Sequence, residues 1–202
     1  GTSRISHITN IDEELISHIE KWCEQEGYTI KKIKGSEITY SITGGLHSTL
    51  QNLNLLNNKH IPREYMVNDR ETRLQVLAGI IDTGGYYTDN CYEIVQKREI
   101  IAKGLKYLCG SLGFGTSFKP VRKTCTNAKG GPKTGTYYKV IICGEGLEEI
   151  PCKITRKRAH KRKQKKDALC TGIRVDSIGE GDYCGFTIDG NARFLLGDFT
   201  VT

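Results

Sequence analysis

Apolar residues recur at helical spacing twice along this chain, and the two runs keep a constant separation of 86 positions. In the first, Leu15, Ile16, Ile19, Trp22 and Cys23 form one stripe, closed by Gly27-Tyr28. In the second, Ile101, Leu105, Leu108 and Cys109 form the stripe, closed by Gly113-Phe114. Residues 12–28 and 98–114 therefore predict two copies of one amphipathic helix with its apolar side in a core. Polar and apolar residues alternate in the segments around them. Arg4 to Thr9 and Cys91 to Gln96 precede the helices; Tyr28 to Ile33, Glu37 to Ile42, Thr116 to Val121 and Thr136 to Ile142 follow them. Alternation suits a sheet with one face buried and one exposed. The exposed set read from it includes Arg4, Ser6, Lys31, Lys119 and Lys139, although a one-residue slip would reverse the face. The expected class is α+β, a duplicated strand-helix-strand unit whose basic, hydroxyl-bearing face suits duplex DNA.

Three further segments complete the pattern. A helix-like run over 46–56 leads to Asn57-Asn58-Lys59-His60-Ile61-Pro62, and Leu147-Glu148-Glu149-Ile150-Pro151 stands in the second copy; both prolines interrupt what precedes them. Lys123 to Gly135, rich in Gly, Lys and Thr, has no apolar period and predicts a hairpin excursion. Leu77-Ala78-Gly79-Ile80-Ile81-Asp82-Thr83-Gly84-Gly85 predicts an apolar helix with small residues along one side, ending in an acidic, glycine-rich turn. Small residues let helices approach closely, and an Asp near such a helix end can project into a shared cleft.

Composition narrows the class. The 202 residues are 37% hydrophobic and 26% charged, with no apolar run long enough to span a bilayer and no signal-peptide layout, so an intracellular, reducing location without membrane contact is expected. The eight cysteines form no C-x-x-C pair for zinc and read as free core thiols. The net charge of +7 is local. Nine of the 30 basic residues lie between Lys153 and Lys166: Lys153, Arg156, Lys157, Arg158, Lys161, Arg162, Lys163, Lys165 and Lys166. The other 21 face 23 acidic residues. Such a run is either a solvated loop or a phosphate-binding tract, evenly weighted on its own; the basic sheet face tips it toward nucleic acid.

Taken in order, these segments resemble the latter part of an intein with an embedded LAGLIDADG homing endonuclease. Leu50 to Met66 is similar to the segment with a Lys-x-Ile-Pro core, here Lys59-His60-Ile61-Pro62. Arg73 to Thr88 resembles the second LAGLIDADG motif, Leu105 to Phe118 the endonuclease segment after it, and Tyr183-Cys184-Gly185-Phe186 through Phe194-Leu195-Leu196-Gly197-Asp198-Phe199-Thr200-Val201-Thr202 the C-terminal splicing segment. The resemblance implies a duplicated αββαββα unit with saddle-shaped antiparallel sheets over residues 1–150, a basic linker 151–167, and all-β Hint strands in 168–202, including Ile173-Arg174-Val175 and Phe186-Thr187-Ile188. It implies double-stranded DNA, host exteins and an N-terminal intein fragment as partners, that fragment holding the first motif helix and the other Hint half. Gly1-Thr2-Ser3 stands where Gly85-Tyr86-Tyr87 stands in the second copy, which places the absent helix just before it.

The implied chemistry is incomplete. The family holds Mg2+ between two carboxylates, one from each motif helix. At the eighth motif position this chain has Gly84, so the resemblance implies a DNA-binding scaffold that does not cut. Asp82 lies about 200° around the helix from that position and is expected to be structural. Lys59 matches the family's active-site lysine, with a solvent-facing turn lysine as the equal alternative; Glu148 takes the second lysine's place. The basic tract, with Arg156, Lys157, Arg158, Lys161 and Arg162, is expected to touch DNA. For splicing, Phe194, Leu195, Thr200, Val201 and Thr202 match the family's last segment. Gly185 and Ala192 stand where other members carry a catalytic Asp and a helper His. Two other readings compete. A non-cleaving, maturase-like DNA- or RNA-binding module fits Gly84 but not the splicing segment. A generic α/β domain explains neither the repeat nor the order.

Overall fold

The computed structural model describes residues 5–126, 131–161, 163, 167, 170 and 172–202. The chain order is β1 (His7–Thr9), α1 (Glu13–Gln25), β2 (Thr29–Lys32), β3 (Thr39–Thr43), α2 (Leu46–Asn52), α3 (Arg63–Met66), α4 (Arg70–Gly84), β4 (Gly85–Thr88), β5 (Cys91–Gln96), α5 (Glu99–Ser111), β6 (Gly115–Cys125) and β7 (Lys133–Cys143). Two 3-10 turns follow, Leu147–Glu149 and Thr155–Lys157. The fold is α+β with antiparallel sheets.

The sequence repeat is a structural repeat. Both helices end with the same hydrogen-bonded turn: Tyr28 N–H donates to Cys23 O (2.7 Å) and Phe114 N–H to Cys109 O (2.9 Å). The residues before these donors, Gly27 and Gly113, have φ +74° and +85°, a conformation that side-chain-bearing residues avoid and glycine adopts freely. The strands pair in equivalent register. In the three-stranded sheet, order β1-β3-β2, His7, Ser41 and Lys31 lie in one cross-strand row. In the four-stranded sheet, order β4-β5-β7-β6, Glu93, Ile141 and Ser117 form the matching row. β4 joins β5 through Asp89 and Asn90, both at positive φ, as a tight two-residue hairpin requires.

The predicted elements differ from the observed ones in three places. The helix expected over 46–56 stops at Asn52, because Asn54 turns to φ +53° and Leu55 N–H closes on Leu50 O. The excursion expected from Lys123 to Gly135 is ladder at both ends: Lys123 pairs with Gly135, Thr124 with Thr134 and Cys125 with Lys133. β-branched Thr124 and Thr134 suit strands, and their hydroxyls meet at 2.7 Å. Thr126, Gly131 and Pro132 lie between the paired ends, and 127–130 lie outside the described residues. Finally, the Hint strands expected at 173–175 and 186–188 are not formed. Among described residues of 172–202 the one ladder contact is Leu195 with Val201. Ile173 and Val175 are 84% and 87% exposed, and among the described residues none supplies the second strand that a β-strand needs.

The main core lies under the four-stranded sheet. Leu74, Leu77, Ala78 and Ile81 of α4 and Ala102, Leu105, Leu108 and Cys109 of α5 pack on Tyr92, Ile94, Val140 and Ile142. Ile150, Cys152 and Ala159 close it, and Ile154 is buried too. The packed body thus reaches Ala159, well into the segment expected to be a linker.

Candidate nucleic-acid interface

Register assigns the two sheet faces. On β5, β7 and β6 the even positions Tyr92, Ile94, Val140, Ile142 and Phe118 face the core, so the odd positions face outward. Lys119 and Lys139 stand directly opposite each other on that outer face, as predicted from alternation. They are not equivalent cations. Lys139 is ion-paired with Glu93, which cancels its charge, whereas Lys119 is exposed. Lys31 is exposed in a row with His7 and Ser41. Ser6 departs from expectation: its hydroxyl donates to Ile42 O (2.7 Å), and it shares the parity of Ile8, opposite to His7. The face was read one residue out. Arg4 lies outside the described residues. Alternation taken from buried Tyr92 and Ile94 would have found three more outward groups: Tyr86 opposite Glu93, Tyr137 opposite Val121, and Lys123. Lys97 adds a cation 4.8 Å from the Tyr137 ring centroid. Aromatic and basic side chains interleaved on one exposed sheet suit a nucleic-acid backbone.

The basic tract behaves differently. Lys157 is buried, and its Nζ donates to Ile81 O (2.9 Å) and Asp82 O (2.7 Å), the final carbonyls of α4. Burial lowers its pKa, Arg156 lowers it further, and Asp82 and Asp12 oppose the change. Arg156 forks onto both oxygens of Asp12 (2.7 and 2.9 Å), and Arg158 donates to Cys152 O (3.0 Å). All three are tied into the fold: Lys157 is buried away from any DNA surface, whereas Arg156 and Arg158 remain exposed. They sit on a well-packed chain where backbone and carboxylate oxygens need donors. Lys161 is exposed, and Arg162 lies outside the described residues.

The end of α4 explains why. Asp82, 1% exposed, accepts from Lys153 N–H (2.8 Å) and Ile154 N–H (3.2 Å). Its side chain thus holds the 153–157 segment while Lys157 holds the helix end, a reciprocal clasp that also complements the negative helix terminus. The structural role expected for Asp82 is the one observed.

Next to the clasp, two glycines have opposite meanings. A Cβ on Gly85 would lie 2.9 Å from Ile81 Cα, so the helix can run straight into β4 only with glycine there. A Cβ on Gly84 would meet only Gln96 Nε2, at 3.8 Å, an ordinary contact. Gly84 is exposed and does not need to be glycine, so an aspartate fits the backbone as it stands. A divalent cation at this helix end does not fit the residues present. Gly84 has no side-chain ligand, the Asp82 oxygens are bound to two backbone amides, and among the described residues no three His, Cys, Asp or Glu side chains gather. Lys59 sits half-buried in the turn before buried Ile61. That turn is tied to Arg98, whose guanidinium donates to Asn57 O (2.9 Å). The turn that carries Lys59 thus meets Arg98 through Asn57, and Gly84 lies beside Gln96. Gln96 carries no motif signal and escapes sequence reading.

Phe194, Leu195, Thr200, Val201 and Thr202 come together as a small hairpin. Phe194 and Thr202 exchange two backbone hydrogen bonds (2.9 Å each), and Leu196 N–H donates to Thr200 O (2.8 Å). Gly185 and Ala192 lie in irregular chain before it.

Among curated proteins the chain is 33% identical over 125 residues to the replicative DNA helicase DnaB of Mycobacterium intracellulare, a match that covers 60% of this chain and only 19% of that protein. Among solved structures it is similar to mesophilic variants of the homing endonuclease I-DmoI, at 14% identity and TM-score 0.46 over 68% of this chain and 72% of that one. A variant of I-DmoI solved with its target DNA and manganese gives the same identity and score over 70% of its length. The model of the homing endonuclease family matches residues 60–169, which take in α4, the four-stranded sheet, α5 and the clasp. The match spans over half the chain, and the chain belongs to the homing endonuclease family.

Proposed function

We propose that this chain is the C-terminal portion of an intein. Residues 1–150 and the packed segment to Ala159 act as a LAGLIDADG body that binds duplex DNA, and 168–202 as one strand set of a Hint fold. The observation that carries this reading is the contrast in burial between body and tail. The body buries most of its large apolar residues, leaving Ile11, Val67, Tyr86 and Ile100 more than half exposed, whereas in the tail Ile173, Val175, Ile178, Tyr183, Phe186, Leu195 and Val201 are all more than half exposed. Alternating apolar residues left bare in this way suit a partner that adds strands to them. An N-terminal intein half would supply those strands. The helicase match supports the same reading, because an inserted element gives a short local match inside a larger protein of different activity. Splicing then needs an initiating nucleophile and a terminal Asn from outside these residues, and the tail's share is to position the strand that leads to the C-terminal junction.

DNA cleavage by this chain is absent in this proposal, because the Mg2+ of active relatives has no ligand at Gly84. The sheet face with Lys31, Lys119, Tyr137 and Lys123 carries the DNA contact, and Lys161 extends it. The seven cysteines described form no disulfide, which suits an intracellular, reducing setting. The maturase-like alternative shares the body but gives the tail no task.

The test is the intact mass of the gene product with its flanking sequence, expressed together with an N-terminal half. The expected result is a ligated host product beside a released species containing these residues. An unrearranged precursor would overturn the intein reading.

A further inference from the structure

α5 carries two internal glycines, and each faces a bulky apolar side chain from elsewhere in the chain. A Cβ at Gly104 would lie 3.4 Å from Ile61 Cδ1, a tight but possible contact. A Cβ at Gly110 would lie 2.6 Å from Cδ2 and 3.2 Å from Cε2 of Phe199. No side chain keeps the shorter distance, so bare backbone at 110 admits the Phe199 ring. Glycine is a poor residue inside a helix, and this contact is a physical reason for its place here.

Two neighbours shape the same spot. Tyr107 meets Phe199 edge-on, with ring centroids 4.9 Å apart and planes at 61°, a favoured aromatic geometry. Asp198 has its carboxyl held below the usual range, chiefly by the Thr200 N–H at 3.0 Å and in smaller part by the positive charge of Lys106. Phe199 itself stands at φ +69°, unusual for a bulky residue. The hairpin closed by Phe194 and Thr202 holds that conformation and aims the ring at the helix.

We propose that Tyr107 and Gly110 form a seat for Phe199, and that this seat is a latch tying the hairpin of residues 194–202 to the endonuclease body. Lys106 lends the latch charge complementarity through Asp198. The seat stands on its own contacts; its use, to keep an otherwise exposed tail against the body, rests on the intein reading.

NMR on the isotopically labelled 202-residue chain tests the seat directly. Cross-relaxation between Phe199 ring protons and Gly110 Hα is expected, with the Tyr107 ring resonances displaced by the neighbouring ring. In Gly110→Ala those signals should vanish and chymotrypsin should cut after Phe199 several-fold faster. Amide exchange in α5 should stay as slow or slow further, because alanine favours helix, and this shows that the body remains folded. Tyr107→Ala should weaken the Phe199–Gly110 cross-relaxation without touching Gly110. Absence of Phe199–Gly110 contact in the unaltered chain, or unchanged tail signals and cleavage in Gly110→Ala, would overturn the latch. Neither outcome depends on splicing, so failure of the intein reading is seen separately, as an unrearranged precursor.

Discussion

The two copies of the repeat share a backbone but not a core. α1 and α5 run over equivalent residues, end in the same glycine turn, and lie beside strands in equivalent register. Yet the first copy fully buries only Leu15, Ile16, Cys23 and Ile42, whereas the second buries nearly its whole apolar stripe. The difference comes from what each copy packs against. The second has α4 and the clasped segment through Ala159, and the first has no such helix among the described residues. A periodic pattern is enough to specify helix and register; the depth of burial is set by the partner element.

The largest effect should come from removing the clasp that gives the second copy its partner. Asp82→Ala strands the buried Ile154 amide and the part-buried Lys153 amide and leaves the Lys157 ammonium with less compensation, a loss of about 3–5 kcal/mol measured by chemical denaturation. A loss below about 1 kcal/mol would show that the segment is held by packing alone. Next come the equivalent positions themselves. Leu105→Ala in the second copy should cost about 2–4 kcal/mol, and Ile19→Ala in the first about 1 kcal/mol, because only the former leaves a closed cavity. Equal costs would erase the distinction between the copies.

A smaller, pH-dependent effect links the first copy to the clasped segment. Glu14 accepts from Thr155 N–H (2.6 Å) and Thr155 Oγ1 (2.9 Å). The backbone and side-chain hydrogen bonds from Thr155, in that order, lower its pKa below the ordinary 4.5. A carboxylate whose pKa falls on folding stabilises above 4.5 and loses that contribution as the pH falls through its folded value. The Tm gap between the native chain and Glu14→Gln should therefore be present at neutral pH and shrink in acid. A gap that widens in acid would reverse the sign of this tie. The smallest expected effect is on DNA. Lys119→Ala should lower the slope of log affinity against log salt by about 1, and Lys157→Met should leave it unchanged wherever the variant folds. The reverse ranking would restore the tract as the contact surface.

Much of this was legible in the residues, for identifiable reasons. Helix stripes and closing glycines are local signals, so α1, α5 and their turns could be read directly. β5 was bounded correctly because its alternation is unbroken. The face of Ser6 was not, since a short strand leaves the period ambiguous and only the Ile42 pairing resolves it. Lys157 was misread because a charge run carries no mark of which member is buried; that depends on α4 carbonyls 75 and 76 residues away. The contrast between Gly84 and Gly85 was half legible. The motif flagged position 84, but only coordinates show that Gly85 is sterically obliged and Gly84 is not. The seat at Gly110 was invisible, because an internal helix glycine announces a close approach without naming the partner.

The proposed function is that of a homing endonuclease body with a DNA-binding sheet face and no side-chain metal ligand at position 84. The most direct measurement follows binding and cutting together, on a duplex bearing the recognition site, with magnesium and both halves present. The expected result is salt-sensitive binding weakened by Lys119→Ala, with the DNA intact throughout. Cleavage of that duplex by the chain with Gly84 in place would contradict it.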